Sequence, residues 1–140
     1  MSSKSTLLDT NVLSELLRAD ADPRVVDFVA AQADLWVSAI VFHELQFGAS
    51  LLADGSRKQR LGEGIRAFQV RFRDRTVPVD LSVALAASEL RAKEVKLGFK
   101  PGGMDMLIAA SAKVRSARLA TRNTKDFLRT EVELVNPWTP

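Results

Sequence analysis

Short apolar runs alternate with longer amphipathic segments along the chain. The first run, Leu7 and Leu8, is followed by Asp9-Thr10-Asn11 and then by a helical spacing of apolar positions across residues 12–17. This order predicts a buried strand, a sharp polar turn and an amphipathic helix. Asp9 is then predicted at the carboxyl end of the strand, which is where open α/β sheets bind their ligands.

The same alternation continues to the end of the chain. The second helix is predicted to begin at Pro23 after a capping Asp22, with a buried stripe of Val25, Val26 and Val29. Later helices are predicted from residue 40 onwards, over 61–72, 83–97 and 104–114, and as a short piece at 125–127. Further strands are predicted at 35–38, 77–79, 119–121 and 132–135, and the proline in 77–79 favours an edge position or a strand start.

Strands that alternate with helices predict an α/β fold with a parallel sheet and helices on both faces. No internal repeat or linker divides the sequence, so we expect residues 1–140 to form a single domain. Hydrophobic residues make up 46% of the chain, which is enough for one substantial core. Cysteine is absent, and this excludes a disulfide framework and a thiolate metal site.

Charge and targeting features indicate where the protein is located and what it could bind. No apolar run approaches the roughly 20 residues that cross a bilayer, and residues 1–5 lack a signal-peptide core, so we expect a cytoplasmic protein with no membrane role. The net charge is +3. One basic cluster lies on a predicted helical hairpin: Arg57, Lys58, Arg60, Arg66, Arg71, Arg73 and Arg75. It could bind nucleic acid, although an ordinary solvated helix face gives the same pattern.

Three carboxylates are predicted at one edge of the sheet. Asp9 ends the first strand, Glu44 follows the second, and Asp105 opens an alanine-rich helix. Strand carboxyl ends and helix amino ends share one edge of a parallel sheet, so the three could meet there. Close carboxylates need a counter-charge, and Mg²⁺ prefers such oxygen ligands. A site of this kind would polarise a phosphoryl oxygen and activate a water.

Each acid also has an ordinary structural explanation. Asp9, Thr10 or Asn11 could simply cap the first helix by accepting a backbone N–H. Asp105 could be a carboxylate favoured at a helix amino end, and Glu44 an exposed helix residue. The spacing alone leaves these readings open.

The full series of motifs resembles a PIN domain, and within that superfamily the VapC toxins, most closely the FitB-type branch. The resemblance covers nearly the entire chain and rests on the following order: 8–15 (Leu-Asp-Thr-Asn-Val-Leu-Ser-Glu), 38–40 leading to Glu44-Leu45 and Gly48, Asp105 with 108–110, Thr121-Arg122-Asn123 with Asp126-Phe127, and Asn136-Pro137-Trp138. Each motif is weak alone, but their order and spacing are specific.

The resemblance implies a three-layer α/β/α sandwich and a Mg²⁺- or Mn²⁺-dependent ribonuclease. It also implies a toxin that is neutralised by a VapB-like antitoxin, forms a homodimer, acts on RNA and contacts DNA only through the antitoxin. Carried over by position, Asp9, Glu44 and Asp105 match the metal-binding acids, and Thr10 and Asn11 match the polar pair that orients the first of them.

One position departs from the family pattern. The fourth acid often lies two residues after the threonine matched by Thr121, and this chain has Asn123 there. Asp126 could replace it as a catalytic carboxylate or could only cap the short helical piece. The number of metal ions therefore stays open.

Two other functions compete with the nuclease. The chain could be a weakly catalytic or non-catalytic subunit of a DNA-binding toxin–antitoxin autorepressor, because one acid is missing. A receiver-like phosphoacceptor also has an aspartate at a strand end, but that class carries a pair of acids there, and the first strand here ends in Asp9 alone.

Overall fold

The computed structural model describes residues 4–139. In this part of the chain five strands alternate with six α-helices and one 3₁₀ helix. The strands are β1 (Thr6–Leu8), β2 (Leu35–Ser38), β3 (Thr76–Val77), β4 (Arg118–Ala120) and β5 (Leu134–Val135). The helices are α1 (Thr10–Leu16), α2 (Pro23–Ala31), α3 (Ala39–Ser50), α4 (Ser56–Arg71), α5 (Leu81–Lys96) and α6 (Gly103–Arg115), and the 3₁₀ helix is Thr124–Thr130.

The five strands form one parallel sheet in the order β3-β2-β1-β4-β5. The connections from β1 run outward to β2 and β3, and the chain then returns across β1 to β4 and β5. Because crossovers between parallel strands are right-handed, this reversal places helices on both faces of the sheet. The predicted α/β/α architecture is confirmed. The order reverses between β1 and β4, and ligands of such sheets bind at this point.

The core explains why β1 lies at the centre. Leu7 and Leu8 are fully buried, as are Val37 on β2 and Leu119 on β4, which flank them. On α6, the side chains at 108–112 are also buried and all but Ile108 are small, so this helix packs closely over the sheet and against α5. The close packing holds the start of α6 near the carboxyl edge of the sheet.

Several predictions about the elements are wrong in detail, and the helix predicted over 61–72 begins already at Ser56. Val26 is exposed, because Val25 and Val29 lie one turn apart on the buried face of α2 and Val26 points about 100° away. The last strand covers only Leu134–Val135, because it pairs with just two residues of the three-residue strand β4. The edge position of the strand beside Pro78 is confirmed, and that strand ends before the proline, which lacks the N–H needed for the ladder.

None of the helices in residues 4–139 combines the length and the apolar character that crossing a bilayer requires.

Candidate functional site

Asp9 lies where β1 ends and α1 begins, and its side chain is almost fully buried. Its Oδ1 accepts a hydrogen bond from the Thr10 backbone N–H at 2.7 Å, which makes it the N-cap of α1. Its Oδ2 accepts from the Thr121 hydroxyl at 2.7 Å and from the Asn11 side-chain amide at 3.4 Å. The capping role and the role in the acidic cluster are therefore compatible, and one carboxylate fills both.

Glu44 reaches the same edge from α3. The Thr10 hydroxyl donates to its Oε1 at 2.6 Å, so the residue after Asp9 fixes the second carboxylate. Thr10 thus joins two acids that are 35 positions apart in the chain.

Asp105 approaches from the first turn of α6. Burial, followed by the charges of Asp9, Asp126 and Glu44, raises the pKa of Asp105 to about 6. The pKa of Asp9 is also raised, mainly by burial, with Glu44 and Asp126 adding to the effect against hydrogen bonds from Thr121 and Thr10. The four carboxylates therefore repel one another electrostatically, and this repulsion favours a bound cation.

Asp126 and Asn123 lie on different sides of Asp105. Asn123 lines the same cleft as Asp9, and its backbone N–H donates to the Thr121 hydroxyl at 3.1 Å. Asp126 is exposed on the 3₁₀ helix and lines a separate recess of ≈ 230 Å³ that it shares with Asp105. Asp105 therefore lies between Asn123, which occupies the position of the usual fourth acid, and Asp126, the carboxylate that could replace that acid.

A cleft of ≈ 390 Å³ opens at this edge and holds the predicted residues Asp9, Thr10, Asn11, Glu44, Asp105 and Asn123. We call it the acidic cleft. It is also lined by residues for which no role was predicted from the sequence, among them Arg18, Arg122 and Trp138. Arg122 lies between the predicted site residues Thr121 and Asn123, and Trp138 lies within the motif at 136–138; the sequence offers no other signal for them.

The donor set fits a hard divalent cation. Asp9, Glu44 and Asp105 offer carboxylate oxygens, and His43 is exposed and is not among the cleft residues. Within residues 4–139, no group of three His, Cys, Asp or Glu side chains is arranged so that it could hold an ion by itself. Mg²⁺ commonly binds through one or two carboxylates and keeps several waters, so a group of three ligating side chains is not a requirement for its binding.

A parallel sheet with acids at the reversal of strand order defines a class of protein. The chain belongs to the PIN domain family, whose profile matches residues 6–133. It is 37% identical over 135 residues to the toxin FitB of Neisseria gonorrhoeae, covering 94% of this chain and 97% of that protein. It is 36% identical over 141 residues to the VapC ribonuclease Y4jK of Sinorhizobium fredii, covering 96% of this chain and 98% of that protein.

Solved structures give the same result. The FitAcB crystal structure from Neisseria gonorrhoeae matches with a TM-score of 0.88 at 36% identity, covering 96% of this chain and 99% of that chain. A second match is VapBC2 from Rickettsia felis bound to a DNA fragment from its promoter, with a TM-score of 0.80 at 25% identity, covering 94% of this chain and 97% of that chain.

Proposed function

We propose that this chain is a metal-dependent endoribonuclease and the toxin of a type II toxin–antitoxin pair. The observation that carries the proposal is the meeting of Asp9, Glu44 and Asp105 at the point where the strand order reverses. PIN-domain ribonucleases depend on a metal ion in general, and a VapC ribonuclease is among the relatives of this chain. The finer proposal is that the ion is Mg²⁺ or Mn²⁺.

Each carboxylate would have its own role in metal binding or proton transfer. Asp9 and Asp105 would hold the ion, which when bound would polarise a phosphoryl oxygen and make a water more acidic. Glu44, which Thr10 orients, would complete the shell or accept the proton of the attacking water. Asp126 would act from the far side of Asp105, while Asn123 would bind water in the cleft. Thr121 and Asn11 hold Asp9 in place through their hydrogen bonds.

The RNA would approach over the basic face of α4. Arg57 and Arg60 line a groove of ≈ 540 Å³ that reaches Glu44, and so they continue the acidic cleft outward. Two members of the predicted basic cluster are already engaged: Arg75 pairs with Asp34 and Lys58 with Asp54. The unpaired part of the basic cluster is therefore smaller than the sequence indicated, and Arg57 and Arg60 are its members that line the groove beside Glu44.

The proposal includes the partners. The structures of FitAcB and VapBC2, which match this chain, are structures of toxin–antitoxin complexes. By analogy, this chain would form a homodimer in the cytoplasm as one domain over residues 1–140. It would bind a VapB-like antitoxin and reach DNA only through that antitoxin.

A second candidate function is that of a regulatory subunit with little or no nuclease activity. It is favoured by two matched structures that contain DNA, those of FitAB bound to the IR36 fragment and of VapBC2 bound to promoter DNA. It is also favoured by Asn123, which lacks the charge of the usual fourth acid.

Growth after expression without the antitoxin separates the two functions. A nuclease toxin should arrest growth, and Asp9→Asn should relieve the arrest although the soluble protein level is unchanged. Growth that continues with abundant folded wild-type protein would instead support the regulatory subunit. An exposed variant, Asp27→Asn on α2, serves as the control and should arrest growth as the wild type does.

A further inference from the structure

Arg122 lies between two residues that build the acidic cleft. Thr121, before it, donates to Asp9, and Asn123, after it, donates its backbone N–H to Thr121. The backbone N–H of Arg122 itself donates to Asn11 Oδ1 at 3.3 Å. The main chain at Arg122 is therefore tied to the same hydrogen-bonded network that fixes Asp9.

The Arg122 side chain is supported by a tryptophan. Its guanidinium carbon lies 5.0 Å from the centre of the Trp138 ring, which is within the range of a cation–π contact. Trp138 is 4% exposed, so it is a fixed platform and not a mobile surface group. The stack limits the freedom of the arginine but uses none of its N–H donors.

A second recess adjoins the acidic cleft at this point. It has a volume of ≈ 540 Å³, and Arg18, Arg24, Arg122 and Trp138 are among the residues that line it. We call it the α1–α2 recess. Both the recess and the acidic cleft are lined by Arg122 and Trp138, together with Glu15 and Arg18, so these four residues form the boundary between the two.

The other two arginines of the α1–α2 recess already have carboxylate partners. Arg24 pairs with Asp22 at 2.8 Å, and Arg18 lies 3.4 Å from Asp20. Arg122 is in no ion pair within residues 4–139. The pKa of Asp22 is lowered chiefly by Arg24, and Arg122 makes the smallest contribution. Arg122 is therefore a preorganised cation whose donors are available to an outside anion.

We propose that Arg122, stacked on Trp138, binds an RNA backbone phosphate that flanks the scissile one and thereby positions the strand over the acidic cleft. This inference rests on the proposed nuclease function. A planar guanidinium presents paired donors that match phosphate oxygens, so the contact is directional as well as electrostatic. Arg57 and Arg60 line the groove that shares Arg18 and Glu44 with the acidic cleft, and they would contact another part of the same RNA strand.

The test measures RNA binding in an Asp105→Asn background, which prevents cleavage. The probe is a fluorescein-labelled single-stranded RNA of mixed sequence, about 15 nucleotides long, followed by anisotropy over a series of NaCl concentrations. Arg122→Gln should weaken binding about five- to tenfold at low salt, because one phosphate contact is lost. The slope of log affinity against log salt should fall by about 0.7, the contribution of one phosphate in a single strand.

Two further variants make the test specific. Arg24→Gln removes a cation from the same recess that is already paired, and it should leave both the affinity and the salt slope unchanged. Arg122→Lys keeps the charge but loses the planar fork, so it should keep the salt slope and lose part of the affinity. Melting temperatures of all variants show whether each is folded.

Different outcomes would contradict the proposed role of Arg122 and the proposed nuclease function. Unchanged affinity and slope in folded Arg122→Gln, an equal loss in Arg24→Gln, or a reduced slope in Arg122→Lys would each overturn the role of Arg122 alone. A parent protein that neither binds RNA nor, with Asp105 restored, cleaves it would overturn the nuclease function as well.

Discussion

Thr121 shows how a single residue can hold the site together. Its fully buried hydroxyl donates to Asp9 Oδ2 and accepts from the backbone N–H of Asn123. It therefore joins the carboxyl ends of β1 and β4 at the reversal of strand order. A hydrogen bond to a charged group typically contributes about 1.5–3 kcal/mol, so this hydroxyl matters to both stability and charge.

We predict that Thr121→Val lowers both activity and stability. Valine keeps the shape but leaves Asp9 without its strongest side-chain donor, so the free energy of unfolding should fall by about 1–3 kcal/mol. RNA cleavage should fall at least tenfold, since the carboxylate loses its fixed orientation. Thr76 lies on the distant strand β3, and its hydroxyl donates a hydrogen bond to the Phe72 carbonyl. Thr76→Val removes this hydrogen bond and should reduce stability only. Equal loss of activity in both variants would contradict the assigned role.

We also predict that Asp105→Asn stabilises the metal-free protein at neutral pH. The pKa of Asp105 is raised to about 6 from its ordinary 3.8, so the native state binds more protons than the unfolded state between these values. The free energy of unfolding therefore falls as pH rises through this interval, and asparagine avoids that loss. Allowing for partial exposure, the gain should be about 1–2 kcal/mol at about pH 7.5.

Urea unfolding in EDTA at two pH values checks this prediction. At about pH 4 the gain from Asp105→Asn should nearly vanish, because the native carboxyl is then protonated. Asp27→Asn, at an exposed position on α2, should change stability little at either pH. A gain from Asp105→Asn that is equal at both pH values would show that its cause is not the charge.

Among the elements, the first turn of α6 leaves little space around the Asp105 carboxylate. A Cβ added at Gly102, the N-cap of this helix, would lie 3.3 Å from Asp105 Oδ2, whereas one at Gly103 would have nothing within 4 Å. The backbone of Gly102 has φ −68° and ψ 131°, which alanine adopts without strain. The glycine therefore leaves space beside the carboxylate, and its backbone freedom is not required at this position.

Gly102→Ala should consequently impair the site while preserving the fold. The added methyl group should push the Asp105 carboxylate by a few tenths of an ångström and weaken Mn²⁺ binding severalfold, measured by titration calorimetry. The melting temperature should change by no more than a few degrees. Gly103→Ala is the matched control and should bind Mn²⁺ as the wild type does. Equal binding by the two variants would contradict this account of the helix start.

Elements with strong local signals could be predicted from the sequence. Asp22 before Pro23 gives the start of α2, since a capping carboxylate and a proline at the first position both favour it. The strand at Leu35–Ser38 is apolar enough to be found directly. The extent of β5 depends on how many of its residues pair with β4, and no local sequence pattern contains this information.

At the scale of the whole molecule, chain order predicted which carboxylates would share an edge but not how they are joined. Asp9, Glu44 and Asp105 follow from strand ends and a helix start in a parallel sheet. The link from Thr10 to Glu44, and the location of Asp126 in a separate recess, depend on side-chain directions that only the folded chain fixes. The sequence does not single out Arg122, because an exposed arginine within a motif has no periodicity or spacing that marks it as functional.

We propose that the acidic cleft cleaves RNA with a bound divalent cation. Purified transfer and ribosomal RNA should be incubated with the antitoxin-free protein in Mg²⁺, Mn²⁺ or EDTA, beside Asp9→Asn and Asp105→Asn. We expect discrete fragments that require Mg²⁺ or Mn²⁺ and are absent with either variant. Intact RNA under every condition with folded protein, or cleavage that persists in EDTA or in both variants, would contradict the claim.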